Sequence, residues 1–288
     1  LSPLSSRPTY TETENDLTVK ANKRTFIFSK KDGQLKGVSV DNRKISFANG
    51  PRFIGARRAD RSLDQFYNHD DEKAKEKDRT YSEFPDAAVF TKLDVKEDGG
   101  NLVVTANYKL GNLDKTQWTI NPSGELALDY TYNFSGVVDL MGIRFDYPED
   151  QVISKRWLGA GPYRVWQNRI HGTQYDVWEN DYNDPIPGET FTYPEFKGYF
   201  GNVSWMNIQT KEGTISLTNE TPDTYIGVYQ PRDGRDRLLY TLPESGISVL
   251  NVIPPVRNKV NSTDLCGPSS QPKWVNGPQT GRVIFRFM

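Results

Sequence analysis

The stretch Leu126-Ala127-Leu128-Asp129-Tyr130-Thr131-Tyr132-Asn133-Phe134 places a large residue at every second position, with small or polar residues between. A strand turns successive side chains to opposite faces of its sheet, so this pattern predicts a half-buried β-strand. Upstream, Asn121-Pro122-Ser123-Gly124 has turn chemistry, and Trp118 and Ile120 alternate before it, so the two runs predict a long hairpin. The same signal recurs at Phe26 and Phe28, followed by the turn Lys31-Asp32-Gly33-Gln34 and Leu35 to Val40. It returns at Leu102 to Leu110, Ile215 to Leu217, Ile247 to Ile253 and Val283 to Phe287. Roughly ten or more strands are expected. No helical pattern alternates with them, which leaves no room for βαβ units or an α/β barrel. The expected fold class is all-β and mostly antiparallel.

A chain of 288 residues is long for one domain, but sandwiches and barrels of this size occur as single units. Residues 1–15 are rich in Ser, Thr and Pro and lack apolar periodicity, which reads as a linker or a disordered N-terminus; residues 16–288 read as one β domain. The charged run Asp70 to Asp78, inside Leu63 to Thr80, reads as helical or as a solvated surface.

The 36 Lys and Arg nearly cancel the 37 Asp and Glu, so no net field draws the chain to nucleic acid or an anionic membrane, and neither is an expected partner. No apolar run approaches the ~20 residues of a membrane span. The 15 Tyr, 14 Phe and 6 Trp supply bulk for a core between sheets, and also rings that can stack on the C–H face of a sugar.

Several chemistries lack their residues. The single cysteine, Cys266, excludes an intrachain disulfide and a multi-cysteine metal site, and reads as structural. His69 and His171 are too far apart for a helical zinc pair. There is no GxGxxG, GxxxxGK[ST] or GxSxG. The acids Asp176, Glu179, Asp181, Asp184 and Glu189 lie among Asn, Pro and Gly and read as an exposed, turn-rich loop. Acid–base work in glycoside cleavage and a bound Ca2+ or Na+ are the alternatives for these carboxylates. No metal ligand and no cofactor is assigned.

The most distinctive segment is Trp157-Leu158-Gly159-Ala160-Gly161-Pro162-Tyr163, continuing through Gln167-Asn168-Arg169 to Asp176 and Trp178. Its glycines permit close backbone approach and Pro162 stiffens the exit, so it predicts a structured turn. The segment resembles the W-[LF]-G-x-G-P stretch, followed by an Arg, of the C-terminal small-chain domain of glycoside hydrolase family 2 β-galactosidases. Asn22-Lys23-Arg24 with Phe26, Phe28 and Gly33-Gln34-Leu35 is similar to that family's opening hairpin. Gly50-Pro51-Arg52-Phe53 with Arg57 and Asp60 is similar to its P-x-F-x-R-A-P-x-D-N-D segment, although Arg57 to Arg61 depart from it. Phe191-Thr192-Tyr193-Pro194-Glu195, with Gly198, Gly201 and Asn202, resembles its Y-x-x-P-x-E-x-G stretch.

The resemblance implies a β-supersandwich of the galactose mutarotase type, non-catalytic by itself and packed on a catalytic barrel of the same parent chain that supplies both glutamates of a retaining mechanism. It implies a carbohydrate partner and a tryptophan platform near the C-terminus, for which Trp274 stands a few positions late. The carbohydrate-binding candidates are Trp274, Trp157, Tyr163, Arg169 and Trp178, and no catalytic residue is assigned. Two alternatives stay open: a free-standing carbohydrate-binding module, with Trp166 and Trp205 as further platforms, and an aldose epimerase using a histidine and a carboxylate. A sugar-degrading role suggests a periplasmic or secreted setting.

Overall fold

The computed structural model describes residues 6–58, 81–181, 198–228, 243, 245–255 and 267–288. The first strands are β1 (Thr9–Glu12), β2 (Asp16–Ala21), β3 (Arg24–Ser29), β4 (Leu35–Val40), β5 (Arg43–Ile45), β6 (Ala48–Arg58) and β7 (Tyr81–Glu83). Next come β8 (Val89–Asp98), β9 (Asn101–Lys109), β10 (Leu113–Ile120), β11 (Leu126–Val138), β12 (Leu140–Asp146), β13 (Val152–Gly161) and β14 (Gln174–Asp181). The rest are β15 (Phe200–Gly201), β16 (Trp205–Thr210), β17 (Gly213–Asn219), β18 (Tyr225–Val228), β19 (Ile247–Val252) and β20 (Lys273–Phe287). Among the described residues they form an 11-stranded sheet, ordered β1-β2-β3-β4-β6-β12-β19-β18-β15 with β5 on β4 and β7 on β6, and a 9-stranded sheet, ordered β14-β13-β16-β17-β20-β11-β10-β9-β8. The expected all-β sandwich is what the chain adopts.

The predicted hairpin is β10 and β11, with Trp118 opposite Leu128 and Ile120 opposite Leu126. Its turn closes because the Asn121 side-chain oxygen accepts hydrogen bonds from the backbone N–H groups of Ser123 and Glu125. The inward residues Leu126, Leu128, Tyr130 and Tyr132 enter one core shared by both sheets. At its centre Trp118 lies 6.0 Å from the rings of both Phe28 and Phe145, while Phe47 stacks on Phe145 at 4.7 Å and meets Phe285 at 5.1 Å. Rings of this size make the dominant apolar contribution to such a core.

Polar contacts bind the two sheets at one end. Glu212, in the turn between β16 and β17, accepts from the Ser46 backbone N–H at 2.9 Å, the Ser46 hydroxyl at 2.6 Å and the Tyr147 hydroxyl at 3.0 Å.

Two expectations change. Thr9 to Glu12 pair with β2 as an edge strand, so the N-terminal linker reading does not hold for those residues. Asp176 to Asp181 belong to β14 and pair with β13, so the first half of the acid-rich segment is strand, not loop. Trp274 lies in β20 opposite Val137, since β20 pairs with β11 from Lys273 to Phe285. The charged run at Leu63 to Thr80, and Asp184, Glu189, Phe191 to Glu195 and Cys266, lie outside the described residues.

Past Tyr132, β11 has no β10 partner, and below Val283, β20 has no β17 partner. Among the described residues the two strands therefore continue as a two-stranded arm. Phe134 anchors it, 6.0 Å from Phe53 and 5.1 Å from Phe84, and thereby joins the end of the 9-stranded sheet to β6 of the other.

Candidate functional site

The distinctive segment forms the end of β13 and the turn that follows. Gly159 lies against the backbone of residues 201–203, where an added Cβ would meet the carbonyls of Gly201 and Asn202 at 3.0 Å. Gly161 lies under the indole of Trp178, which occupies the space a side chain would need. The glycines thus admit a second chain segment on one side and a ring on the other.

Trp157 is fully buried (0% exposed); its indole N–H donates to Ala160 O at 3.0 Å and its ring meets Phe200 edge-on at 4.8 Å. It is corrected from sugar platform to core residue, because alternation from Lys155 points it between the sheets. Trp178 is half-buried against the same core, and its indole N–H donates to Gln174 O at 3.3 Å. The Tyr163 hydroxyl donates to His171 O at 3.0 Å and closes the turn, while Arg169 is exposed, its backbone N–H donating to Trp166 O at 2.9 Å.

The turn's central residues Arg164, Val165, Trp166 and Gln167 are buried. Val165 and Tyr199 exchange backbone hydrogen bonds at 2.8 Å, and the Trp166 ring stands at 86° to that of Tyr199. Together with Ile54, Ala56, Tyr81, Leu140, Leu250 and Ile253, these residues make a second apolar cluster. Three segments quoted from the sequence therefore converge: β6, the turn after β13, and residues 198–201.

Charges are buried beside this cluster. Lys155 Nζ and the Arg164 guanidinium both lie 5.9 Å from the Phe200 ring centre, an arrangement favoured by the ring's quadrupole. Asp139 is fully buried and its carboxylate accepts from the Arg58 backbone N–H at 2.8 Å. Arg52 and Arg144 face each other across β6 and β12; Arg52 pairs with Asp146. Near them Asp86 has its pKa raised by burial, against the opposing pull of Arg52 and Arg144. Burial also pushes the Tyr199 hydroxyl well above the ordinary phenol range.

A fourth segment joins through Gln167. Its side-chain Nε2 donates to Ser269 O and Gln271 O, both at 2.7 Å, and its backbone N–H donates to Pro254 O at 3.0 Å. Three residues beyond Gln271 stands Trp274, 72% exposed. Trp274, Tyr163, Arg169 and Trp178 thus lie on connected segments, and Trp157 stands opposite Trp178 in the register of β13 and β14. Sequence reasoning assigned no role to Gln167 or Arg164; the only signal was their place inside the turn. Among the described residues no group of three His, Cys, Asp or Glu side chains is placed to hold a metal ion.

Two antiparallel sheets around one aromatic core, with glycine-packed turns on one flank, define a β-supersandwich domain. The chain belongs to the β-galactosidase small chain family, whose sequence profile matches residues 20–254. Its fold is similar to that of a galactose 1-epimerase from Lactobacillus acidophilus NCFM, at 9% identity over 99% of both chains with a TM-score of 0.49. It is also similar to a putative mutarotase from Salmonella typhimurium, at 9% identity over 97% of this chain and 92% of that one, TM-score 0.41. An aldose epimerase homologue from C. elegans gives 8% identity over 97% and 99% of the two chains, TM-score 0.39. No curated protein sequence matches the chain.

Proposed function

We propose that this chain is the accessory C-terminal domain of a family 2 β-glycosidase, packing on the catalytic barrel of its parent chain and forming one wall of the sugar pocket. In this reading Trp274 is the stacking platform, with Tyr163, Arg169 and Trp178 on the neighbouring turn and hairpin. The supporting observation is the exposure of the Trp274 indole on a segment that Gln167 ties to the family's distinctive turn. A large exposed ring on a pinned strand is an expensive feature unless something stacks on it. The bond cleavage belongs to the barrel, with its two carboxylates.

The test is hydrolysis of an aryl β-galactoside by the isolated 288-residue chain and by its parent enzyme. The isolated chain gives no turnover and the parent does. In the parent, Trp274→Ala raises KM more than it lowers kcat, since stacking contributes mainly to ground-state binding. Clear turnover by the isolated chain overturns the reading.

A further inference from the structure

Beyond the Trp274 region, the outer face of the 9-stranded sheet carries a separate cleft of about 480 Å3. Its floor is a grid set by strand register. Lys115, Thr131 and Thr280 form one row across β10, β11 and β20; Gln117, Asp129 and Arg282 form the next. Neighbouring strands lie about 4.8 Å apart, so adjacent side chains in a row can bracket two hydroxyl groups on neighbouring carbons.

The wall is the segment after β17, which is rigidly built. Asn219 Nδ2 donates to the Thr224 hydroxyl at 2.8 Å, and that hydroxyl donates to Thr221 O at 2.8 Å. The Thr221 hydroxyl accepts from the Arg282 backbone N–H at 2.7 Å, which pins the wall to β20. Glu220 then pairs with Arg282 Nε at 2.9 Å, while Asp129 holds Nη1.

Two cations, Lys115 and Arg282, face two anions, Asp129 and Glu220, so the cleft has no net charge with which to select an ion. Among the described residues, Arg282 Nη2 and the side chains of Lys115, Gln117, Thr131 and Thr280 make no hydrogen bond, so donors and acceptors alternate over the floor. The volume falls within the ~300–1,000 Å3 usual for small-molecule clefts. Strand alternation puts Trp274 on the same face of β20 as Arg282, but eight residues away, about 27 Å along the strand.

We infer that this cleft binds one residue of a neutral carbohydrate through its hydroxyl groups, as a subsite separate from Trp274. The ligand's hydroxyls donate to Asp129 and Glu220 and accept from Arg282, Gln117, Thr131 and Lys115. This inference does not require the accessory-domain reading.

The test is titration of the full chain with three neutral disaccharides, lactose, cellobiose and maltose, following the Arg282 side-chain Nε–H resonance, with sulfate as an anion control. At least one sugar shifts the resonance saturably, and sulfate does not. The double variant Gln117→Ala/Thr131→Val leaves the ion pairs and the thermal unfolding temperature in place and weakens binding about tenfold, for two lost hydrogen bonds. Trp274→Ala leaves the titration unchanged while abolishing any effect at the platform. No saturable shift with any of the three sugars, a response to sulfate alone, undiminished binding by the double variant, or loss of the shift in Trp274→Ala would each overturn it.

Discussion

The Gln167 amide is shared between two carbonyls, Ser269 O and Gln271 O, each 2.7 Å from Nε2. One buried side chain thereby fixes the spacing between the turn after β13 and the start of β20.

Replacing Gln167 by Leu keeps the volume but leaves both carbonyls without this donor. A stability loss of about 1–3 kcal/mol follows, the usual cost of an unsatisfied buried polar group. Urea unfolding checks the magnitude, and acrylamide quenching of tryptophan emission checks the position of Trp274. An unchanged midpoint would mean that the carbonyls find other partners at no cost.

Trp157 and Trp274 separate core from surface. Trp157→Ala opens a cavity in the sandwich and costs about 3–5 kcal/mol, whereas Trp274→Ala stays within about 0.5 kcal/mol. Chemical denaturation of the two variants side by side measures both. Equal losses would put Trp274 in the core.

Gly161→Ala drives a methyl group into the indole of Trp178. Overpacking of this kind costs about 1–3 kcal/mol and displaces the ring. Near-ultraviolet circular dichroism reports the displacement, and a spectrum identical to that of the unaltered chain would refute it.

Alkaline unfolding follows from the buried phenols. Tyr108, Tyr130, Tyr132 and Tyr199 have pKa values raised above the ordinary 10.0, in each case first by burial. Above about pH 10 the unfolded chain releases these protons while the folded chain retains them, so the unfolded state binds fewer protons and stability falls with rising pH. The contribution is complete below pH 10 and is lost as pH climbs toward the folded-state values. Melting temperature measured upward from pH 9 should fall, with phenolate absorbance appearing together with unfolding. Phenolate absorbance well before unfolding would contradict it.

The alternation around Leu126 to Phe134 made the central hairpin legible because each inward residue there is large and the sheet has one dry face. Other strands hid for specific reasons. Thr9 to Glu12 are exposed at every position, so no apolar period marks them, and only backbone pairing with β2 makes them a strand. Lys273 to Gly281 contain Gly277, Pro278 and Gly281, and the strand signal begins only at Val283. Pro278 is tolerated because, among the described residues, β20 has a neighbour on one side only at that level, so its missing N–H costs no ladder bond. Lys155 masked the inward register of Trp157, since a charged residue on the core face breaks the expected pattern. At the candidate site the order of the quoted segments was readable, but their meeting was not: Gln167 reaches Ser269 across 102 positions.

The pairing of β11 with β20 also governs how the molecule assembles. Asp129 and Arg282 are 153 positions apart, and β20 fills the gap between β11 and β17 in mid-sheet. Neither neighbour can complete its backbone ladder until that distant segment arrives, and the chain loses loop entropy before any of those contacts reward it. Early formation of the local hairpins, with insertion of β20 as the late step that makes folding cooperative across the sandwich, is the order this topology leads one to expect.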